Sequence, residues 1–161
     1  MFPSLVLMSF PHPTPILSYF YCFCIPSYKE GRHINWLNSY VKVKVIFENC
    51  YLSDEQKVLA CRLCGEAGAD YIKTSTGYGT SGATAEDLKI MKANAGHGMK
   101  VKAAGGVRTL HDVLVVRKLG GARIGATASK PILEEAQRRA EKGELAELPD
   151  DAELVLGTGS Y

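Results

Sequence analysis

From residue 41 onward the chain alternates between strand-like and helix-like stretches, and this alternation restricts the fold more than any other feature. Four strands are predicted from runs of apolar and β-branched residues, at 41–48, 70–75, 99–104 and 122–126. A helix is predicted after each strand, with N-terminal signals at Ser53, Thr84, Thr109 and Pro131. Strands and helices that alternate at such spacing form a parallel sheet with right-handed crossovers. The sequence therefore predicts an α/β fold.

Two segments of different character flank this regular part. Residues 1–40 are interrupted by prolines at positions 11, 13, 15 and 26, so we expect an irregular N-terminal segment. Its apolar run, residues 16–25, is well short of the ~20 residues that a membrane helix needs, and it lacks the charged start and cleavage site of a signal peptide. Residues 144–161 are acidic with scattered leucines and are predicted to form a flexible tail. One folded domain, 41–143, remains.

Charge and cysteine content exclude several function classes. The formal net charge is only +2, and no basic run is interleaved with aromatic residues, so we expect neither a nucleic-acid partner nor a membrane surface. The Cys61-x-x-Cys64 spacing occurs in redox and zinc sites. Here it falls inside a predicted helix, without a second such pair and without a histidine at ligand spacing. We interpret both cysteines as buried thiols in a reducing compartment and expect no metal.

Two lysines, Lys73 and Lys102, each lie near the end of a predicted strand, one strand–helix unit apart. The carboxyl ends of parallel strands are where α/β proteins place their chemistry, and neighbouring strands are ~4.8 Å apart. An amine that is partly buried beside a second ammonium loses its proton more easily and becomes a nucleophile for Schiff-base formation. The alternative is a strand-end lysine that reaches solvent, and the pattern does not choose between the two.

The turns after the last two predicted strands have the composition of a phosphate site. They contain the pair Gly105-Gly106 and the segment 125–129. Backbone N–H groups and a hydroxyl at a helix N-terminus bind phosphate well, and in barrels such a site recurs after the last two strands. A glycine pair alone is a weak signal, and the neighbouring turn strengthens it.

The remaining charged candidates are open to more than one interpretation. Glu48, at the end of its strand, is either an interior carboxylate or the ion-pair partner of a lysine. Alternation along their strands makes Lys44 and Lys100 possible interior groups as well, but we expect them to be structural or to reach solvent. His97 and His111 are interpreted as surface residues because no triad pattern accompanies them.

Three long stretches resemble the deoxyribose-phosphate aldolase family of class I aldolases: KVIFENCYLSDEQK (44–57), AGADYIKTSTGYGTSGAT (67–84) and VKAAGGVRT (101–109). The resemblance covers roughly residues 41–140 and does not extend to residues 1–40. The family folds as a (β/α)8 barrel of ~250 residues. The resemblance therefore implies a partial TIM barrel of about four βα units, corresponding to strands five to eight.

The resemblance also implies roles for individual residues. Lys73 is implied as the Schiff-base lysine, and Lys102 as the second lysine, which perturbs the first and assists proton transfer. Lys44 matches a lysine of the family's fifth strand in a supporting role, and Tyr161 is similar to a C-terminal tyrosine that some members use in proton transfer. The residues that match the phosphate end are Gly77, Gly105, Gly106, Gly125 and Ser129.

The implied reaction is the reversible cleavage of 2-deoxy-D-ribose 5-phosphate to acetaldehyde and D-glyceraldehyde 3-phosphate. The resemblance implies a cytoplasmic enzyme whose partner is a small sugar phosphate and which needs no metal or organic cofactor. The family's first four strands, and the aspartate of its proton relay, have no counterpart in residues 1–40. A half-barrel leaves two strand edges open. We therefore expect a chain that is marginally stable alone or that forms a homo-oligomer through these edges, and the alternative function is a catalytically inactive fragment that at most binds sugar phosphate or self-associates.

Overall fold

A computed structural model describes residues 6–7, 21–25, 42–96, 98–144, 148 and 156. Within this part of the chain, one sheet has six strands arranged in chain order. The strands are β1 (Val6–Leu7), β2 (Tyr21–Ile25), β3 (Lys42–Ile46), β4 (Tyr71–Lys73), β5 (Lys100–Ala104) and β6 (Gly121–Gly125). Strands β1, β2 and β3 pair antiparallel, whereas β3 to β6 are all parallel.

A helix follows each of the four parallel strands. The helices are α1 (Asp54–Ala67), α2 (Ala85–Asn94), α3 (Leu110–Lys118) and α4 (Ser129–Glu141), and a 3-10 turn, Asn49–Tyr51, precedes α1. The predicted alternation of four strands and four helices is confirmed, and with it the α/β class. None of the described helices is long and apolar enough to cross a membrane.

The helices begin where the sequence places its N-caps. The Ser53 hydroxyl accepts from the backbone N–H of Gln56, and the Gln56 side chain accepts in return from the N–H of Ser53, so α1 opens with a complete capping box. Thr84 caps α2 in the simpler way. Thr109 forms a second capping box with Asp112 at the start of α3. These caps satisfy backbone donors that would otherwise have no partner in the first turn.

Strand β4 ends earlier than the predicted 70–75 because the side chain of Thr74 enters the hydrogen bonding of the sheet. The Thr74 hydroxyl donates to the carbonyl oxygen of Ala104 and accepts from the Ala104 N–H, each at 3.1 Å. A side chain therefore completes the contact between β4 and β5 at this end, while the Thr74 backbone still donates to the carbonyl oxygen of Lys102 and accepts from the N–H of Asn49.

The core lies between one face of the sheet and helices α1 to α3. Alternate strand residues supply the sheet side, namely Val43, Val45, Phe47, Ile72, Val101 and Ala103. The helix side is supplied by Ala60, Cys61, Cys64, Leu88, Met91, Val115 and Val116. Cys61 is fully buried and burial raises the pKa of its thiol to about 12, so the interpretation of Cys61 and Cys64 as buried thiols is confirmed. Among the described residues, no group of three or more His, Cys, Asp or Glu side chains could hold a metal ion.

The seven described residues of the range 1–40 lie in strands β1 and β2. Residues 21–25, with the sequence YCFCI, form β2 and pair with the whole of β3, from Tyr21 opposite Ile46 to Ile25 opposite Lys42. Aromatic and β-branched residues favour an extended strand, and β3 offers a row of unpaired backbone groups that such a strand can satisfy. One of the two edges expected to be open is therefore covered by the chain itself. On the other side, β6 has no further strand beside it in the described part of the chain.

Two leucines of the acidic segment 144–161, Leu148 and Leu156, contact the folded domain. Leu156 is buried within the hydrophobic core, at 6% exposure, and Leu148 packs against the core from outside. The backbone oxygen of Leu148 also accepts a hydrogen bond from Lys118 Nζ at 3.1 Å. The leucines spaced among the acidic residues therefore attach the tail to the domain at these points, whereas the rest of the tail lies outside the described residues.

Candidate functional site

The face of the sheet opposite the helices carries a row of cationic side chains. Register places Ile46, Lys73, Lys102 and Arg123 side by side across β3 to β6. Lys44, Tyr71 and Lys100 form the row before it. Because side chains alternate along a strand, both rows lie on the same face. We call the five cations on it, Lys44, Lys73, Lys100, Lys102 and Arg123, the cationic face.

Lys73 and Lys102 are direct neighbours in this arrangement. Both side chains are half-buried. The pKa of Lys73 is lowered from its ordinary value, first by burial, which disfavours the charged ammonium, and second by the positive charge of Lys102. The Glu48 carboxylate acts in the opposite direction and raises it. The alternative of a strand-end lysine that reaches freely into solvent does not describe Lys73.

Lys44 belongs to the same group of interacting charges. Burial lowers its pKa most, followed by the charges of Lys102, Lys73 and Arg123. The Arg123 guanidinium lies 4.4 Å from the centre of the Tyr71 ring, a cation–π contact that fixes its position on this face. Lys100, in contrast, is exposed. Lys44 and Lys100 therefore lie on the same face of the sheet, as expected, but Lys44 is half-buried and Lys100 is exposed.

Gly125 packs closely against Ala104 on the neighbouring strand. A Cβ atom at this position would lie 3.2 Å from Ala104 Cβ, which is a tight contact, and 3.5 Å from Lys102 Cε, which is an ordinary van der Waals distance. The carboxyl ends of β5 and β6 therefore lie close together beside Lys102.

The predicted phosphate residues lie at the carboxyl ends of three neighbouring parallel strands. Gly77 follows β4, and Gly105 and Gly106 follow β5. All three have φ between 80° and 102°, a left-handed conformation that residues with a side chain rarely adopt. Ser129 is the first residue of α4, and its hydroxyl donates to the carbonyl oxygen of Ala126 at 3.1 Å. The structure therefore brings these turns to one edge of the sheet, the edge toward which Lys73 and Lys102 lie.

The structure shows the partner of the Glu48 carboxylate, which the sequence did not decide. Its carboxylate accepts hydrogen bonds from the Thr76 backbone N–H, at 3.0 and 3.1 Å to its two oxygens, and from the Thr76 hydroxyl. Glu48 is therefore an interior carboxylate whose partner is the loop after β4. The strand-end position of Glu48 was a usable signal, but its partner lies 28 residues further along the chain.

Three further candidates have different outcomes. His111 is exposed on α3, in line with the surface interpretation. His97 and Tyr161 lie outside the described residues. Neither of these two can therefore be assigned to the site from its position.

Comparison with known proteins decides the family. Residues 36–132, which are more than half of the chain, match the DeoC/LacD family aldolase. The chain belongs to this aldolase family. The predicted fold, a partial (β/α)8 barrel of four βα units, is confirmed by aldolase structures that match the same portion of the chain.

The individual relatives match a similar share of this chain. The deoxyribose-phosphate aldolase of Rhodopirellula baltica is 53% identical over 98 residues, which are 61% of this chain and 41% of the relative. The solved structure of QR15, an aldolase, matches with a TM-score of 0.59 and 41% identity over 62% of this chain and 45% of its own. The tetrameric deoxyribose phosphate aldolase from Aeropyrum pernix matches with a TM-score of 0.54 and 34% identity over 58% of this chain and 41% of its own. The chain thus spans less than half the length of these relatives.

Proposed function

We propose that this aldolase cleaves 2-deoxy-D-ribose 5-phosphate reversibly to acetaldehyde and D-glyceraldehyde 3-phosphate, with Lys73 as the Schiff-base nucleophile. The observation that carries the proposal is the pairing of Lys73 with Lys102 on a half-buried face. Burial and the neighbouring charge both lower the pKa of Lys73. They increase the fraction of neutral amine near neutral pH, and only the neutral amine attacks an aldehyde.

In the proposed reaction, Lys73 Nζ adds to the aldehyde carbon C1 of the open-chain sugar. Loss of water gives an iminium, which accepts the electron pair of the C2–C3 bond as that bond breaks. The C3 hydroxyl loses its proton and becomes the aldehyde of D-glyceraldehyde 3-phosphate. The enamine left on Lys73 is protonated at C2 and hydrolysed to acetaldehyde and the free amine. The atoms and electrons of these steps balance without a redox agent or a cofactor.

Lys102 has two roles in this proposal. Its positive charge lowers the pKa of Lys73 further than burial does alone, and it assists proton transfer because it is the neighbouring acid on the next strand. Lys44, which belongs to the same group of interacting charges, has a supporting role. For Tyr161 the role in proton transfer remains a prediction from the family resemblance.

We place the phosphate of the substrate at the turns formed by Gly77, Gly105, Gly106, Gly125 and Ser129. Glycine turns allow backbone N–H groups to approach an anion closely, and the N-terminus of α4 contributes its dipole beside Ser129. The substrate would then extend from this edge toward Lys73. A small sugar phosphate is the proposed partner, and the cytoplasm, where such a metabolite is made, is the proposed location.

The second candidate is a catalytically inactive aldolase fragment that binds sugar phosphate or self-associates. It is favoured by one observation, that the chain spans about two-fifths of its relatives' length. In the described part of the chain β6 has no strand on its outer side, and such an edge can pair with a second copy. The tetrameric state of the Aeropyrum pernix relative makes self-association a proposal for this chain as well.

Turnover separates the two candidates. The assay measures acetaldehyde released from 2-deoxy-D-ribose 5-phosphate by the full chain, by Lys73→Arg and by Lys89→Arg, a control on the exposed side of α2. Release by the wild type and by Lys89→Arg, but not by Lys73→Arg, supports the enzyme. Binding of the sugar phosphate by calorimetry without release would support the inactive fragment, and light scattering on the same sample reports its oligomeric state.

A further inference from the structure

Glu48 has an unusual backbone conformation for a residue with a long side chain. Its φ of 51° and ψ of 63° are left-handed. Among the described residues, no other position apart from glycines has a positive φ. This conformation is uncommon for residues with a Cβ atom. It persists where surrounding contacts hold it, and such residues concentrate at functional sites.

The Glu48 carbonyl oxygen accepts from the N–H of Tyr51 in the 3-10 turn, and the contacts of its carboxylate come from the loop after β4. Its carboxylate receives the N–H and the hydroxyl of Thr76. The Thr76 oxygen in turn accepts from the N–H of Tyr78 at 3.1 Å, so the bonding continues into the loop. Three residues on from Thr76, a Cβ atom on Gly79 would lie 2.9 Å from Glu48 Oε1 and 2.7 Å from Cys50 Sγ. The loop is therefore seated closely on the end of β3, with Glu48 as its attachment point.

This loop begins directly after the strand that carries Lys73. Only Thr74 and Ser75 separate Lys73 from Thr76, and both are fully buried. Movement of Thr76 would therefore be transmitted to the end of β4 rather than absorbed by a flexible linker. The same loop contains Gly77, the first of the proposed phosphate residues.

Glu48 is also the acidic member of the charged groups around Lys73. The cations on the two flanking strands are Lys44 on β3 and Lys102 on β5, and Arg123 lies one strand further away, on β6. Burial and Lys102 lower the pKa of Lys73, and Glu48 raises it. One carboxylate thus both holds the loop and moderates the charge of the amine.

We propose that Glu48 is a positioning residue, whose carboxylate fixes residues 76–82 of the loop after β4 to the end of β3 and thereby orients the amine of Lys73, on which its negative charge also acts. The inference rests on the proposed function only in naming this amine as the nucleophile. The contacts and the electrostatic effect are properties of the fold, and they can be measured without any turnover.

The first test measures the loop. Hydrogen exchange of the 76–82 backbone, followed by mass spectrometry, is compared between wild type, Glu48→Ala and Glu66→Ala, a matched control on the exposed side of α1. Loss of the charge-assisted bonds should accelerate exchange in Glu48→Ala by roughly tenfold, with no change in Glu66→Ala. Thr76→Val, which removes only the hydroxyl, should give a smaller acceleration. Thr76→Val also tests the anchoring role if Glu48→Ala does not fold. Unchanged exchange in both Glu48→Ala and Thr76→Val would overturn the anchoring role.

The second test measures the amine. Competitive labelling of lysines with acetic anhydride over a pH series, read at Lys73 by peptide mass spectrometry, gives the pH midpoint of its deprotonation. Glu48→Gln keeps an acceptor for Thr76 but removes the charge, so its midpoint should lie at lower pH than in wild type and in the control Glu66→Gln. A role limited to structure would leave the midpoint in place, and that result would overturn the electrostatic part of the proposal.

Trapping with acetaldehyde and borohydride on the same variants separates this inference from the proposed function. With both correct, Glu48→Ala should form the Lys73 adduct about tenfold more slowly than wild type or more slowly still, because small misplacements of a reacting group are costly. Altered exchange and labelling with no adduct even in wild type would reject the proposed function and retain the inference. An adduct whose rate and pH dependence do not respond to Glu48 variants would reject the inference alone.

Discussion

Lys73 and Lys102 occupy opposed positions on neighbouring parallel strands, and the charge of Lys102 lowers a Lys73 pKa that burial has already lowered. The arrangement follows from two features of the chain: each lysine lies on the same face of its strand, and the parallel register of β4 and β5 places the two directly opposite each other. It makes the chemistry of Lys73 dependent on a residue one βα unit away.

Replacement of Lys102 with methionine should raise the pH at which Lys73 loses its proton. The substitution keeps an apolar stem of similar length and removes the charge that disfavours the Lys73 ammonium, so the pKa of Lys73 moves toward its ordinary value of 10.5. Lysine labelling over a pH series measures the midpoint. Lys100→Met, at an exposed position of the same strand, is the control. Equal midpoints in wild type and Lys102→Met would contradict the coupling.

The free energy of unfolding should rise with pH on the alkaline side because of Lys44 and Lys73. Both have a lowered pKa in the folded state, so the unfolded chain binds more protons between that pKa and the ordinary value of 10.5. Stability increases with pH wherever the unfolded state binds more protons. Urea unfolding at a series of pH values measures this, and Lys44→Met should show a smaller rise than Lys100→Met. A rise of the same size in both variants would mean that Lys44 does not contribute to the pH dependence.

Lys57 and Asp87 form an ion pair that joins α1 to α2, at 2.7 Å, with 11% and 8% of the two side chains exposed. Burial alone would lower the pKa of Lys57, but hydrogen bonds to Asp87 and Asp54 outweigh it and raise that pKa. Lys57→Met leaves the Asp87 carboxylate buried without its partner and should reduce the free energy of unfolding by about 3–5 kcal/mol.

The control for this prediction is Lys89→Met. Lys89 pairs with Glu86 at 3.5 Å on the solvent side of α2, where both side chains are more than half exposed. Its loss should change the free energy of unfolding by less than about 0.5 kcal/mol. Similar values for the two variants in urea unfolding would mean that the buried pair is not the link between the helices.

Gly121 lies against α3 so closely that a methyl group does not fit. A Cβ atom there would be 2.5 Å from Val116 Cγ1 and 3.0 Å from the Val116 carbonyl oxygen. Gly121→Ala should therefore destabilise the protein by about 1–3 kcal/mol through overpacking. Gly96→Ala, where a Cβ atom would meet nothing within 4 Å, should be neutral or stabilising by up to about 1 kcal/mol. Thermal unfolding of the two variants distinguishes these outcomes, and equal melting temperatures would contradict the close contact between β6 and α3.

The order of strands and helices could be predicted because each element carries its own local signal. Ser53, Thr84 and Thr109 form the caps that their spacing indicates, and alternation along β3 separates Val43 and Val45 from Lys44. The same alternation placed Lys73 and Lys102 on one face. These signals involve residues only a few positions apart, so they can be recognised without knowledge of the tertiary structure.

Other features depend on residues that are far apart in sequence, and the sequence did not predict them. Strand β2 forms from a proline-rich segment because β3 offers an unpaired edge, and Glu48 finds its partner in Thr76 across the gap between two strands. Leu156 is buried although it belongs to a segment, residues 144–161, that is acidic overall. In each case the deciding contact is created by the fold, and a local pattern contains no information about it.

The central claim, that Lys73 is a Schiff-base nucleophile in this chain, is tested most directly by trapping. The full chain is incubated with 2-deoxy-D-ribose 5-phosphate or acetaldehyde, reduced with borohydride and digested, and the adduct is located by mass spectrometry. We predict a reduced two-carbon adduct from acetaldehyde on Lys73, absent in Lys73→Arg and retained in Lys100→Arg. A folded sample with no adduct on Lys73, or with adducts spread equally over exposed lysines, would contradict it.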